Sequence, residues 1–162
     1  MTEPLLVDES VWRTTWVGLQ QRGADERETA AVWLGTLVQG KETVREVIFL
    51  DDLPGTVGRR LQHRTSRQAV NMMLARAREL DLGIVADIHT HPEEWVGLSE
   101  VDRLHPIEYR PGLLALVLPG FAHGEPDLSR TGAHEYLGDG VWRTFDPTEI
   151  GRRLVIQRTG AE

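Results

Sequence analysis

Trp12, Trp16 and Leu19 recur at helical spacing, with Asp8 or Ser10 placed to cap the start of a helix and Gly23 placed to stop it. Residues 29–38, Thr-Ala-Ala-Val-Trp-Leu-Gly-Thr-Leu-Val, form an almost unbroken apolar run, the pattern of a strand buried on both faces. Periodicity alone leaves a buried helix open there. Gly40 and Lys41 are read as a turn, after which Val44, Val47, Ile48 and Phe49 predict an antiparallel partner. Asp51-Asp52-Leu53-Pro54-Gly55 is dense in turn formers and predicts a loop. Ser66 then fits the N-cap of a helix running to Leu80, with Val70, Met73, Leu74 and Ala77 on its apolar stripe and Gly83 near its end.

The second half of the chain reads as shorter elements. Residues 84–89 are strand-like, and Pro92 ends the ladder by removing a backbone donor, so His89-Thr90-His91 sits at a strand exit. Ser99 to Leu104 predicts a short helix, residues 113–118 a buried strand, residues 133–137 and 141–145 a hairpin about Gly138-Asp139-Gly140, and residues 153–157 a last strand. The pattern is mixed α/β, without a repeat, heptad or linker that divides it.

Length and composition support one domain over residues 1–162: 162 residues, 40% hydrophobic and 27% charged, are near the common size for a single core. The net charge of -7 has the wrong sign for binding nucleic acid or anionic lipid mainly by charge, and suits a basic partner better. Glu3, Asp8 and Glu9 replace the basic start of a secretory signal, and no apolar run approaches the roughly 20 residues of a membrane span, so a soluble, cytoplasmic protein is expected. Without cysteine, disulfides, thiol catalysis and cysteine-ligated metals are excluded, and a metal must be held by His, Asp or Glu.

One stretch carries such a set. His89 and His91 are two apart, so on a strand both point to one face, about 6.5–7 Å apart at their roots, and their imidazoles can converge on one ion. Asp102 supplies a carboxylate from the following helix, and Ser99, three residues earlier, shares its face. Two histidines and one carboxylate leave a fourth tetrahedral position for water, the arrangement of a catalytic zinc site, in which the pKa of water falls from 15.7 to about 7.

Taken singly, each piece has a plainer reading: His-x-His arises by chance, and Ser99-x-x-Asp102 resembles a capping box. Taken jointly, six His, four Ser and ten Asp in 162 residues give about 0.0003 chance occurrences of this spacing. Both readings of Ser99 can hold together.

The string His89-Thr90-His91-Pro92 with Ser99-x-x-Asp102 resembles the signature of the JAMM, or MPN-domain, metalloproteases. That family also carries an upstream glutamate in a segment resembling Glu-x-x-Gly-x-Leu-x-Gly. Glu28-Thr29-Ala30-Ala31-Val32-Trp33-Leu34-Gly35 matches it in outline, with Ala31 in place of the usual glycine and Glu26 as the alternative acid. The resemblance implies His89, His91 and Asp102 as zinc ligands, Glu28 as general acid/base and Ser99 as donor to the oxyanion. It implies an α/β MPN (JAB) domain, a deaminase-like curved mixed sheet flanked by helices. The implied activity is hydrolysis of an amide or isopeptide bond at the C-terminus of a ubiquitin-like protein, with its extended tail lying beside the zinc as an added strand. Small bacterial members deconjugate modifiers, including in antiphage systems, process a modifier's tail, or release an amino acid from a sulfur carrier. The short stretch from Asp102 to Leu113 leaves little room for the insertions of chain-specific deubiquitinases, so polyubiquitin selectivity is not expected.

A non-catalytic MPN scaffold is the alternative, and the complete set of His89, His91, Asp102 and Glu28 argues against it. A zinc nucleobase deaminase would need a cysteine pair. Asp87 shares the strand face of His89 and could orient its ring, but an ordinary polar side chain is the simpler reading. His63, His105, His123 and His134 lack a partner spacing and read as surface or hydrogen-bonding residues. Trp33 and Trp142 read as packing residues, and Trp95 either contacts substrate or closes its loop onto the core.

Overall fold

The computed structural model describes residues 3–37, 42–59 and 63–158. In chain order the elements are β1 (Leu5–Asp8), α1 (Glu9–Arg22), β2 (Ala30–Thr36), β3 (Thr43–Phe49), β4 (Val57–Gly58), β5 (His63–Arg64), α2 (Arg67–Leu80), β6 (Gly83–Thr90), α3 (Glu100–Leu104), β7 (Leu114–Leu118), β8 (Gly132–Gly138), β9 (Val141–Thr144), α4 (Ile150–Arg153) and β10 (Leu154–Gln157). Eight strands form one curled mixed sheet in the order β10-β1-β3-β2-β6-β7-β8-β9, flanked by helices, and β4 and β5 pair separately. Register shifts in the β2 ladders with β3 and β6 add local twist at the sheet's centre.

The central strands are apolar on both faces because both faces are covered. Ala31 and Trp33 of β2, Ala86 and Ile88 of β6 and Leu114, Leu116 and Leu118 of β7 join Trp12, Trp16 and Leu19 of α1 in one core. Trp16 and Trp33 are fully buried. Each indole removes roughly 150–250 Å² from water, worth about 4–6 kcal/mol before entropy costs. The Trp33 indole N–H is satisfied by the Thr15 hydroxyl at 2.8 Å. The alternate residues Ala30, Val32 and Leu34 face Met73 and Ala77 of α2. Ala115 and Val117 of β7 face Leu98 in the loop before α3.

Several expectations change in detail. Asp8, not Ser10, caps α1, accepting the Ser10 N–H at 2.8 Å. The acidic N-terminal segment also carries an unexpected strand, β1, whose Leu5 and Val7 are buried between β3 and β10. Residues 29–38 resolve into β2 over Ala30–Thr36, and the Gly40-Lys41 turn lies outside the described residues. The α2 stripe buries Met73 and Ala77 but leaves Leu74 exposed, and its C-cap is Asp81 in the left-handed conformation, while Gly83 opens β6. The expected loop after β3 holds a 3-10 turn at Leu50–Asp52 and the β4–β5 pair. Arg153 closes α4, so the last strand starts at Leu154.

Strands β6 and β7 are parallel, which forces a crossover between them. That crossover carries His91, Trp95, Ser99 and Asp102, and loops over the sheet face that α2 also covers.

Candidate metal centre and its cavity

His89 is on β6 with its side chain on the α2 face, and His91 follows just past the strand's end. The His91 backbone is held there by its N–H on the Leu118 carbonyl at 2.9 Å and by the Phe121 N–H on its own carbonyl at 2.8 Å. Phe121 and Ala122 have φ of 55° and 60°, a left-handed turn costing roughly 1–2 kcal/mol per non-glycine residue, which the surrounding packing maintains. Asp102 is brought in by α3, whose start is a complete capping box: Ser99 Oγ accepts the Asp102 N–H at 3.1 Å and Asp102 Oδ2 accepts the Ser99 N–H at 2.9 Å.

Three lone-pair atoms converge as a result. His89 Nε2 lies 3.2 Å from His91 Nε2, and Asp102 Oδ2 lies 3.3 Å and 3.4 Å from the two. Ligands at about 2.0–2.1 Å from a tetrahedral ion are separated by roughly 3.3–3.4 Å, so this near-equilateral triangle fits one zinc-sized cation. Among the described residues, His89, His91 and Asp102 are the group whose ligand atoms meet in this way. The donor set of two imidazoles and one carboxylate, without thiolate, suits zinc and also other divalent first-row ions.

A supporting contact orients the His91 ring toward the centre of this triangle. His91 Nδ1 donates to the Trp95 carbonyl at 3.0 Å, which turns Nε2 toward His89 and Asp102. Asp87, set aside on the sequence, has Oδ1 3.8 Å from His89 Nδ1, within ion-pair range and too long for a good hydrogen bond. Burial opposes a proton on His89, but hydrogen bonding to Asp102 and the negative charge of Asp102 and Asp87 prevail and push the imidazole up to about 10. Burial raises the Asp102 carboxyl, and the His89 and His91 contacts more than reverse that, holding it well below the usual carboxylate range. Together the three side chains form a group that could hold a metal ion.

Glu28 enters from the neighbouring strand. Ala30 pairs with His89 across the β2–β6 ladder. The ladder continues through the Thr90 N–H on the Thr29 carbonyl at 3.0 Å, so Glu28 stands opposite His91. Its residue is 8% exposed, and burial raises its carboxyl, offset in part by His89 and His91. Ala31 is fully buried against α1, so the methyl in place of a glycine is accommodated. Glu26 is exposed in a left-handed turn outside the cavity, whereas Glu28 lines it.

The β4–β5 pair roofs Glu28. The Glu28 N–H donates to the Arg59 carbonyl at 2.6 Å, and a Cβ on Gly58 would fall 2.2 Å from the Glu28 carbonyl oxygen, so only glycine permits this approach. Asp51 ties the roof down, accepting the Ala30 N–H at 2.9 Å through Oδ2 and the His63 ring at 3.0 Å through Oδ1.

The resulting cavity of about 800 Å³ contains the triad, Glu28 and Ser99 together. The Trp95 indole stacks on His91 at 5.4 Å and 17°, and the residue stays 59% exposed on the cavity rim, so it is not closed onto the core. Trp142 packs against Tyr136 in the hairpin and donates its indole N–H to the Arg103 carbonyl at the end of α3. His134 is a buried anchor for the crossover, bonding the Val96 carbonyl through Nε2 at 2.9 Å and Thr144 through Nδ1 at 2.8 Å. Burial pushes its imidazole down, consistent with a neutral ring. The partnerships of Asp51, His63 and His134 had no sequence signal, because their partners are 10 to 38 residues away without a fixed spacing.

No protein-family model matches the sequence. The fold recurs in solved structures. A protein from Desulfitobacterium hafniense, determined in solution, superposes with a TM-score of 0.68 over 95% of this chain and 93% of its own, at 12% identity. A protein from Salinibacter ruber does so with a TM-score of 0.59 over 100% and 94%, at 19% identity. At these identities the likeness concerns the fold. Among the described residues, no helix is long and apolar enough to cross a membrane.

Proposed function

We propose that this protein is a JAMM-type zinc metallopeptidase of MPN-like fold that hydrolyses the amide or isopeptide bond at the C-terminus of a ubiquitin-like protein. The observation that carries the reading is the 3.2–3.4 Å triangle of His89 Nε2, His91 Nε2 and Asp102 Oδ2 with the buried Glu28 opposite His91 in the same cavity. His89, His91 and Asp102 would hold the ion. Bound zinc supplies Lewis acidity that polarises a carbonyl and acidifies water.

The chain's own residues supply the rest. Glu28, its carboxyl raised by burial, is suited to take a proton from the attacking water and return it to the leaving amine. Ser99 Oγ already accepts the Asp102 N–H, so its hydroxyl proton is available to the oxygen that develops negative charge. The His91 and His134 contacts to the Trp95 and Val96 carbonyls hold the crossover, and hence the distance between Ser99 and the histidines. Trp95 lies where it can cover the substrate chain at the rim.

The test is metal content by mass spectrometry on protein purified without added metal, comparing wild type with a His89→Ala/His91→Ala variant, followed by cleavage of a panel of ubiquitin-like fusions. About one zinc per chain in wild type, little in the variant and release of the fused partner are expected. A wild-type protein that takes up no metal when zinc is supplied overturns the reading.

A further inference from the structure

His63 is the part of the cavity wall that the triad, Glu28 and Ser99 leave without a role. Its side chain is 8% exposed, yet the residue lines the cavity together with Glu28 and Thr65. Nε2 is committed to Asp51 Oδ1 at 3.0 Å, and Asp51's other oxygen is committed to the Ala30 N–H. A carboxylate accepts hydrogen bonds, so in the neutral ring the proton belongs on Nε2 and Nδ1 carries a lone pair. Among the described residues Nδ1 has no protein partner.

The character of the wall points the same way. Lining the cavity are the carboxylates of Glu28, Asp87, Glu93 and Asp102 and the imidazoles of His63, His89, His91 and His105, and among the described residues no lysine or arginine. Apart from the His89–His91–Asp102 group and Ser99, this lining pairs carboxylates with no lysine or arginine, which favours a ligand that brings N–H donors over a free carboxylate.

We propose that His63, fixed in its Nε2–H tautomer by Asp51, is a substrate-binding residue whose Nδ1 accepts a hydrogen bond from the N–H of the amine on the leaving-group side of the cleaved amide. Resting on the hydrolase reading above, this sharpens its substrate class: the leaving group is an amine presented by an alkyl chain, and a single amino acid carrying its own carboxylate beside that amine is disfavoured. Asp51 acts through His63 as a positioning residue. Asn at position 51 can keep the Ala30 N–H only with its carbonyl oxygen, which turns its NH2 toward His63 and forces the proton onto Nδ1. Asp51→Asn therefore converts the acceptor into a donor without removing either contact.

The experiment is 15N NMR of the histidine rings in full-length, zinc-loaded protein at pH 8, titrated with butylamine and, separately, with butyrate. In wild type, His63 Nδ1 is expected to be pyridine-like and to move with butylamine but not butyrate. In Asp51→Asn, Nδ1 becomes pyrrole-like, butylamine binding weakens about tenfold, and butyrate now moves the His63 signals. Butyrate bound only at the metal would move the His89 and His91 signals instead. A wild-type His63 with Nδ1 protonated, or with signals indifferent to butylamine, overturns the proposal. Neither result bears on zinc content or fusion cleavage, so the failure of this inference and of the hydrolase reading are separable.

Discussion

The two sides of the cavity are built in opposite ways. The histidine side comes from one continuous segment, residues 89–102, in which a strand exit, a proline and a capping box place every polar atom within a short chain distance. The glutamate side is assembled from three separate places: Glu28 at the entry to β2, Asp51 after β3 and His63 on β5. Local chain geometry fixes the first side, whereas the second depends on the β2–β6 ladder and on the close approach of Gly58. In the proposed reading the first side would hold an ion, and the second would handle protons and the substrate's amine.

That division of labour can be broken at several points. The largest effect is expected from Glu28→Gln, which should lower turnover of a cleaved fusion by roughly 10²–10⁴ while zinc content stays at the wild-type level. Parallel loss of zinc would show that Glu28 belongs to the metal side after all. Ser99→Ala comes next: kcat should fall by about 10²–10³ through the lost oxyanion donor, and stability by about 1 kcal/mol through the lost N-cap. Chemical denaturation alongside steady-state kinetics separates the two. His134→Ala should weaken zinc binding by about 10–100-fold by loosening the crossover at Val96, whereas His123→Ala, at an exposed ion pair with Glu94, should leave zinc affinity unchanged in a competition titration with a chelator.

The smallest effect sharpens the comparison by pH. In metal-free protein the His89 imidazole is raised, so its stabilisation is complete below its unfolded value near ~6.5 and is lost as pH climbs toward about 10. Asp102 is lowered, so its stabilisation is present above ~3.9 and fades as pH falls below that. Glu28 is raised, so its penalty is absent below ~4.3 and appears as pH rises. Glu28→Gln should therefore raise the Tm of metal-free protein at pH 7 and leave it nearly unchanged at pH 4. An equal Tm change at the two pH values would contradict a carboxylate destabilised by burial.

Much of this molecule could be read along the chain. The caps Ser66 and Ser99, the doubly buried β2, the strand leading to His89 and the hairpin about Gly138–Gly140 all follow from local rules, because each depends on neighbours a few residues away. The convergence of His89, His91 and Asp102 was legible for the same reason: a two-residue step on a strand and a three-residue step on a helix carry geometry by themselves. Strand β1 was hidden by its acidic surroundings, and β4 and β5 by their two-residue length.

The sequence alone therefore determined the chemistry on offer, two imidazoles and a carboxylate within 14 residues and no thiol anywhere in the chain. Only the tertiary structure decided that Glu28 and not Glu26 faces that group, that Asp51 fixes a histidine on the opposite wall, and that His134 anchors the crossover. The reason is physical: ligand spacing within one segment is set by backbone geometry, whereas pairing across strands depends on registers and close approaches that many distant residues set together.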